Sequence, residues 1–364
     1  MKKIKILFTI PNFDTAGSGK VLYDLAKGLD GEKFEVEIAC KNSKGAFFKE
    51  VEQLGFPIHI IETTVPLRPY FSLLFRIKPF QTFVKQYQLD IVHSWNWSSD
   101  WSEVLASRLG GAQFVYTKKA MSWGNVHWKI KSYLSHFIIT INEEMRNYFP
   151  DKKQQQLIPL GLDTDYYSPN LYPKKDQAAI FRIITVANLV PVKGIEVLIQ
   201  AIQLLGNTNI HLEVFGDDRD SYGNELKQLV KEVQLENQIF FLGKHTDVRP
   251  FLVQADLYVI PTLNEGRKEG MPMALVEAMT MGIPVLGSNI SGINFVLKDF
   301  PELLFEASNA ADLSEKIALF YQKSGEERHA MGQKLRKYCI EHFSMERFIK
   351  AHEELYTALV ERKR

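Results

Sequence analysis

The sequence predicts an α/β protein of two Rossmann-like domains, and three observations carry that expectation. The chain has 364 residues, 45% hydrophobic and 24% charged, enough to bury two separate cores. Short apolar runs alternate with helical segments in both halves. One stretch, residues 256–289, completes a whole β-loop-α-β unit. Within it, 257–260 reads as a buried strand with two β-branched residues, stopped by Pro261. A polar loop occupies 265–270. Pro272 then stands at a first helical position, 273–281 has helical composition, and Gly282 ends it. The next strand is expected at 283–286.

The net charge is only +1, but it is unevenly spread. Residues 1–160 hold 21 Lys/Arg against 15 Asp/Glu, a balance of +6, and residues 161–364 hold 23 against 28, a balance of −5. No nucleic-acid partner is expected from so modest a balance. Cys40 and Cys339 are far apart, so neither a disulfide framework nor a cysteine metal cluster is implied, and a reducing cytoplasm suits them. The first apolar run is too short for a signal peptide, and no window reaches the roughly 18 apolar residues of a transmembrane helix.

In chain order, a buried strand is expected at 4–10, a loop at 12–19 and a helix at 20–29. Gly17, Ser18, Gly19 and Lys20 invite comparison with a phosphate-binding P-loop. The comparison fails, because Asp14 occupies the required first glycine and Val21 follows the lysine. A glycine-rich turn into a helix amino terminus is the better reading. Strands follow at 35–40 and 58–61 with a helix at 47–54 between them.

The segment 65–87 interleaves Phe71, Leu73, Leu74, Phe75, Ile77, Phe80 and Phe83 with Arg68, Arg76, Lys78 and Lys85. Such a stripe is either core with a solvated charged face or a helix lying on an anionic membrane surface. Further strands are expected at 90–93, 114–117 and 138–141, the last of this half, with a helix at 103–109. All five tryptophans, Trp95, Trp97, Trp101, Trp123 and Trp128, fall just beyond these strand ends. An aromatic face with a polar N–H suits stacking on a sugar or sitting at a membrane interface. His93, Trp95, Lys118, Lys119, Trp123 and His127 are therefore candidates for an acceptor side.

In the second half, a linker rich in Tyr, Pro, Asn and Lys runs to Asp176. Strands are expected at 183–187, 210–215 and 239–242, with a helix from Ile195. Lys193 precedes that helix, where a mobile ammonium suits phosphate oxygens. Asp163/Asp165 and Asp218/Asp220 have D-x-D spacing, which in a chain this rich in aspartate is expected by chance, so no metal is expected. The last segment, 344–364, reads as an amphipathic helix.

The corner at 265–277 suggests a nucleotide-sugar site. A helix amino terminus offers unpaired N–H groups and a positive dipole end to a phosphate. Gly270 lets the backbone approach closely. Glu269 lies in the loop and Glu277 about a turn and a half into the helix, so a diphosphate at the helix mouth would have a carboxylate for sugar hydroxyls on each side. The alternative is two solvated charges beside a core helix.

Glu269, Gly270, Met271, Pro272, Glu277, Ala278, Met279, Gly282, Ile283, Pro284 and Val285 resemble the E-x7-E motif of the retaining glycosyltransferases of family 4, which have the GT-B fold. The resemblance implies two Rossmann-like domains facing a central cleft, at 1–162 (acceptor side) and 163–345 (donor side), with a C-terminal helix, 346–364, crossing back to the first. It implies that Glu269 holds the transferred sugar and Glu277 the ribose, with Lys193 on the diphosphate. It also brings Gly17, Gly19, Asn188, Gly216, Lys244, Gly270, Met271 and Pro272 to the donor. Two departures stand out: Lys118 and Lys119 occupy the place of a common cleft histidine, and Asn188 that of a common arginine. The implied activity is metal-independent transfer of a hexose or N-acetylhexosamine from a uridine diphosphate sugar, the co-substrate, with no cofactor. The acceptor would be a lipid-linked or polysaccharide-precursor glycan, and the location cytoplasmic or peripheral on an anionic membrane. A soluble polysaccharide synthase, a sugar-nucleotide epimerase and a non-catalytic sugar-nucleotide-binding protein are the alternatives.

Overall fold

The structure, a computed structural model, describes residues 2–13, 16–45, 47–121, 124–173, 180–266 and 270–363. The chain divides into two compact units, Met1–Gly161 with Met345–Arg364, and Leu162–Ser344.

The first unit is a parallel sheet of seven strands: β1 (Ile4–Thr9), β2 (Phe34–Cys40), β3 (Ile58–Ile60), β4 (Ile91–Ser94), β5 (Gln113–Lys118), β6 (Phe137–Thr140) and β7 (Gln155–Leu157). Their order across the sheet is β3-β2-β1-β4-β5-β6-β7. The expected last strand is thus followed by another. β7 is polar, Gln-Gln-Leu, and holds its place through backbone pairing with β6, so it carries no apolar run. Its helices are α1 (Ala16–Gly28), α2 (Phe48–Glu52), α3 (Leu73–Gln86), α4 (Ser102–Leu109), α5 (Val126–Leu134) and α6 (Glu143–Arg146). Strand order reverses between β1 and β4, which makes their carboxyl ends the switch point of this sheet.

The stripe at 65–87 divides between two roles. Leu73, Ile77, Phe80 and Val84 recur at helical spacing and are buried against Val92, Val104 and Phe114. Phe71, Leu74 and Phe75 point the other way, and are 86%, 63% and 78% exposed. Arg76 is not a solvated charge. Its guanidinium donates to the carbonyls of Pro66, Leu67, Arg68 and Pro69, which shapes the turn before α3.

The final helix, Met345–Lys363, belongs to this first unit. Its Tyr356 hydroxyl bonds His93 Nδ1 at 2.6 Å, and its Leu359 carbonyl accepts from the Gln113 amide at 2.6 Å. Glu353 accepts the Asp30 N–H at 2.7 Å. Gly161 is required at this seam, because a Cβ would come within 2.5 Å of Phe348 Cβ and 3.0 Å of the Met345 backbone, whereas one at Gly28 would press on the movable end of Ile349.

The second unit is a parallel sheet of six strands: β8 (Phe181–Val186), β9 (Ile210–Phe215), β10 (Ile239–Gly243), β11 (Leu257–Ile260), β12 (Val285–Ser288) and β13 (Leu304–Phe305), ordered β10-β9-β8-β11-β12-β13. Its helices are α7 (Ile195–Leu205), α8 (Ser221–Glu232), α9 (Arg249–Leu252), α10 (Met273–Thr280), α11 (Ser291–Val296), α12 (Ala310–Gln322) and α13 (Gly325–Phe343). Here the order reverses between β8 and β11. The segment expected to be a linker is tied down where it is described: Arg336 of α13 donates to the carbonyls of Tyr167 and Thr164, and also to that of Thr280 at the end of α10. Residues 162–168 are therefore part of the unit, held against the helix that carries Glu277.

Candidate functional site

In the second unit, the loops leaving β8 and β11 lie at the sheet's switch point and are bound to each other. The Leu263 N–H donates to Val192 O at 2.8 Å. Gly194 has φ +64°, and a Cβ there would sit 2.2 Å from Pro261 O, so only glycine admits this approach. Lys193 precedes Gly194 and the amino terminus of α7; it is half-buried, while Asn188 on the same loop is exposed. Gly216, at the end of β9, passes equally close to the β8 loop, since a Cβ would come within 2.2 Å of Ala187 O. Lys244 follows β10 and is exposed.

The β11 loop brings Gly270, Met271 and Pro272, all buried, to the amino terminus of α10, with Pro272 as its N-cap. The Leu275 and Val276 N–H groups turn back to the Pro272 carbonyl, and a helix amino terminus of this kind is a place that can hold an anion. Glu277 lies further along α10 and is half-buried. The Tyr167 hydroxyl donates to its carboxylate; burial first and the Glu277 charge second push the Tyr167 phenol well above its ordinary value. Tyr258 of β11, fully buried, is also raised, by burial and then by Glu277. Two tyrosines thus border Glu277, and a carboxylate so bordered is oriented before any ligand arrives. Glu269 lies outside the described residues.

A second polar cluster forms beyond β10. Asp247 takes two hydrogen bonds from Arg249, 2.8 Å each, and Arg249 lies 3.4 Å over the Tyr166 ring. The Arg249 side chain holds Asp247 below the usual carboxylate range. The D-x-D aspartates have local work. Asp220 caps α8 through Gly223 N–H at 2.8 Å, Asp218 pairs with Lys227 at 2.7 Å, and Asp163 accepts from the N–H groups of Asp165 and Tyr166. Among the described residues no group of three His, Cys, Asp or Glu is arranged to hold a metal ion.

In the first unit, the acceptor-side candidates separate. His93, Trp95 and Lys118 are completely buried, so the expectation that they border an open acceptor surface is corrected. His93 is bonded through both ring nitrogens, to Tyr356 and to Thr117 Oγ1 at 2.7 Å. Burial, with the charges of His352 and Lys119, holds it neutral. Its work is to pin the final helix to β4. Lys118 Nζ lies 3.8 Å over the Trp128 ring, and burial followed by Lys131 repulsion pulls it down to about 7. Lys119 is partly exposed; its ammonium donates to the Trp95 carbonyl at 2.6 Å, between the rings of Trp95 and Trp97. His127 accepts the Trp101 indole N–H at 3.2 Å. Trp123 lies outside the described residues. Gly17 and Gly19 stand at the start of α1, after β1, where Gly17 departs from helical geometry.

Beneath these groups lies a carboxylate the sequence did not single out. Glu103 is fully buried at the start of α4, and accepts from Thr9 at 2.5 Å, Ser94 at 2.6 Å and the Asn96 amide at 2.8 Å. It ties the carboxyl ends of β1 and β4 together. Tyr167 and Arg336 were missed for another reason: nothing in sequence spacing joins position 167 to 277 or 336. The only available signal was the aromatic pair Tyr166-Tyr167 in a segment otherwise rich in loop formers.

Known proteins resemble this chain in both units. Residues 15–166 match the model described as "Glycosyltransferase Family 4", and residues 174–338 the model described as "Glycosyl transferases group 1". The chain is 31% identical over 173 residues to the putative colanic acid biosynthesis glycosyltransferase WcaL of Escherichia coli K12, covering 46% of this chain and 42% of WcaL. It is 24% identical to the UDP-Gal:α-D-GlcNAc-diphosphoundecaprenol α-1,3-galactosyltransferase of Escherichia coli, over 92% of each chain. Anabaena Alr3699/HepE, solved in complex with UDP and glucose, superposes with a TM-score of 0.78 at 18% identity, over 97% of this chain and 99% of that one. The fold is that of GT-B glycosyltransferases, and the chain spans about half the length of the first curated relatives it matches.

Proposed function

We propose, for a chain with this fold, that it transfers a hexose or N-acetylhexosamine from a uridine diphosphate sugar to a hydroxyl of a lipid-linked or polysaccharide-precursor glycan, with retention at the sugar carbon. The observation that carries this reading is the seam between the β8 and β11 loops at the switch point of the second unit, where Lys193 precedes α7 and the β11 loop leads into α10 with its Tyr167-bonded Glu277. These supply a cation, a helix amino terminus and a hydrogen-bonded carboxylate, the contacts that suit a sugar nucleotide's diphosphate and ribose. Relatives support the rest: HepE is solved with UDP and glucose, and the galactosyltransferase is named for transfer from UDP-Gal to α-D-GlcNAc-diphosphoundecaprenol.

In this reading the bond from the sugar carbon to the diphosphate breaks as the acceptor hydroxyl attacks the same face. The departing phosphate oxygen takes the hydroxyl proton, so no protein nucleophile is required. Lys193 and the helix terminus stabilise the charge that grows on the leaving group, an effect larger in the transition state than in the ground state. Glu277 binds the ribose hydroxyls and Glu269 the sugar being moved. The reaction needs no metal.

Replacing Glu277 tests this. Glu277→Ala should raise the donor KM roughly 10- to 100-fold, the loss of about 1.5–3 kcal/mol for charged hydrogen bonds, while Glu269→Ala should mainly lower turnover. Unchanged donor affinity in a folded Glu277→Ala protein would remove Glu277 from the ribose site.

A further inference from the structure

A cleft of about 1250 Å³ opens in the first unit at the amino ends of its strands, away from the carboxyl ends where the sheet has its switch point. Gln113, the first residue of β5, lines it together with His136 and Gln154, which directly precede β6 and β7. The rest of the lining comes from α4, α5, the segment after α6 and the final helix. Doubly wound sheets take their substrates at the carboxyl ends of the strands, so the transfer reading leaves this cleft unused.

The lining is positively charged. Arg108 of α4, Lys129 of α5, Lys152 after α6 and Arg362 of the final helix stand against one acid, Asp151. Among the described residues none of these side chains makes an ion pair. Arg108 and Lys152 hold the end of α5: Arg108 donates to the Leu134 carbonyl at 2.8 Å, and Lys152 to the carbonyls of Ser132, at 3.0 Å, and Ser135. That occupies only part of each group's donors. Burial, then the Arg108 charge, lowers the Lys152 ammonium below its ordinary value, so these two cations are close enough to repel, and an anion between them would relieve the repulsion. The α5 wall also carries an aromatic face. Tyr133 lies four positions after Lys129, on the same side of the helix, and is 83% exposed.

We propose that this cleft binds a soluble phosphate monoester of a ring compound, a sugar phosphate or a nucleotide, with the phosphate between Arg108 and Lys152 and the ring against Tyr133. Cations drawn from four separate elements suit a tetrahedral dianion, whose oxygens point in more directions than those of a planar carboxylate. The guanidinium fork and the ammonium are the two side chains that hold phosphate best, and an exposed phenol ring offers a face for a sugar or a base. The proposal stands on this cleft alone and does not depend on the transfer reading.

The test is calorimetric titration of the full chain with ribose 5-phosphate, adenosine monophosphate, inorganic phosphate and ribose. Both esters should bind more tightly than inorganic phosphate, and ribose should not bind; the tighter ester tells a sugar phosphate from a nucleotide. Arg108→Gln should weaken both esters roughly tenfold. K129Q/R362Q changes only exposed side chains, so the fold is kept, and should weaken them roughly fivefold. Tyr133→Ser, also exposed, should weaken the esters roughly fivefold and leave inorganic phosphate unchanged. Lys193→Gln, in the second unit, should leave ribose 5-phosphate unchanged, which separates this cleft from the proposed donor site. Four results overturn the proposal: no binding of either ester to the parent, cleft variants that bind both esters as the parent does, ribose binding as tightly as its phosphate, or a loss of ribose 5-phosphate binding in Lys193→Gln.

Discussion

Lys118 offers a quantitative test of how the first unit is built. Its side chain is fully buried at the end of β5, above the Trp128 ring, with the Lys131 ammonium near enough to repel it. Burial lowers its pKa from 10.5 to about 7, a difference that costs about 5 kcal/mol at 1.36 kcal/mol per unit when the group is charged. Because the folded pKa is depressed for a base, the unfolded chain binds more protons between about pH 7 and pH 10.5, and stability contributed here rises with pH across that window. Lys118→Met removes the charge and keeps the volume. The variant should be more stable than the parent by about 4 kcal/mol near pH 7, and the difference should shrink by about 1.4 kcal/mol per pH unit towards pH 10. All five tryptophans lie between positions 95 and 128, so urea unfolding followed by tryptophan fluorescence reads the first unit without interference from the second. Lys131 remains in both proteins, so its own titration, shifted to about 8 by burial, largely cancels. A variant no more stable than the parent near pH 7, or a difference that stays flat to about pH 10, refutes the reasoning.

Two further outcomes concern the second unit. Tyr167→Phe removes the hydroxyl that orients Glu277 and should raise the donor KM roughly three- to tenfold with little change in kcat; added to Glu277→Ala it should do nothing more, and independent additive effects would show that the two side chains do not act together. Saturating EDTA should leave most transferase activity, and a complete loss restored by Mn²⁺ would return Asp163/Asp165 or Asp218/Asp220 to consideration as metal ligands.

The sequence by itself determined the two-unit α/β architecture and most of its strands, because parallel strands buried on both faces leave short apolar runs that punctuation by Gly and Pro makes legible. The strands at 210–215 and 257–260 are found as read, and Pro272 and Gly282 bracket α10 as their conformational limits require. β7 escaped, since a polar edge strand is written in backbone pairing rather than in side chains. What only the tertiary structure decided is which side chains face inward and which distant residues meet. His93 and Lys118 read as polar groups near strand ends, and only packing of the final helix and of α5 shows them sealed in the interior. Arg76 reads as a surface charge until the turn folds over it. Tyr167, Glu277 and Arg336 are far apart in the chain, and a contact between loops and helices of a doubly wound sheet leaves no periodic trace. Periodicity reports the environment of one element at a time, whereas a site is assembled from several, so local sequence names its candidates and the fold decides which of them are brought together.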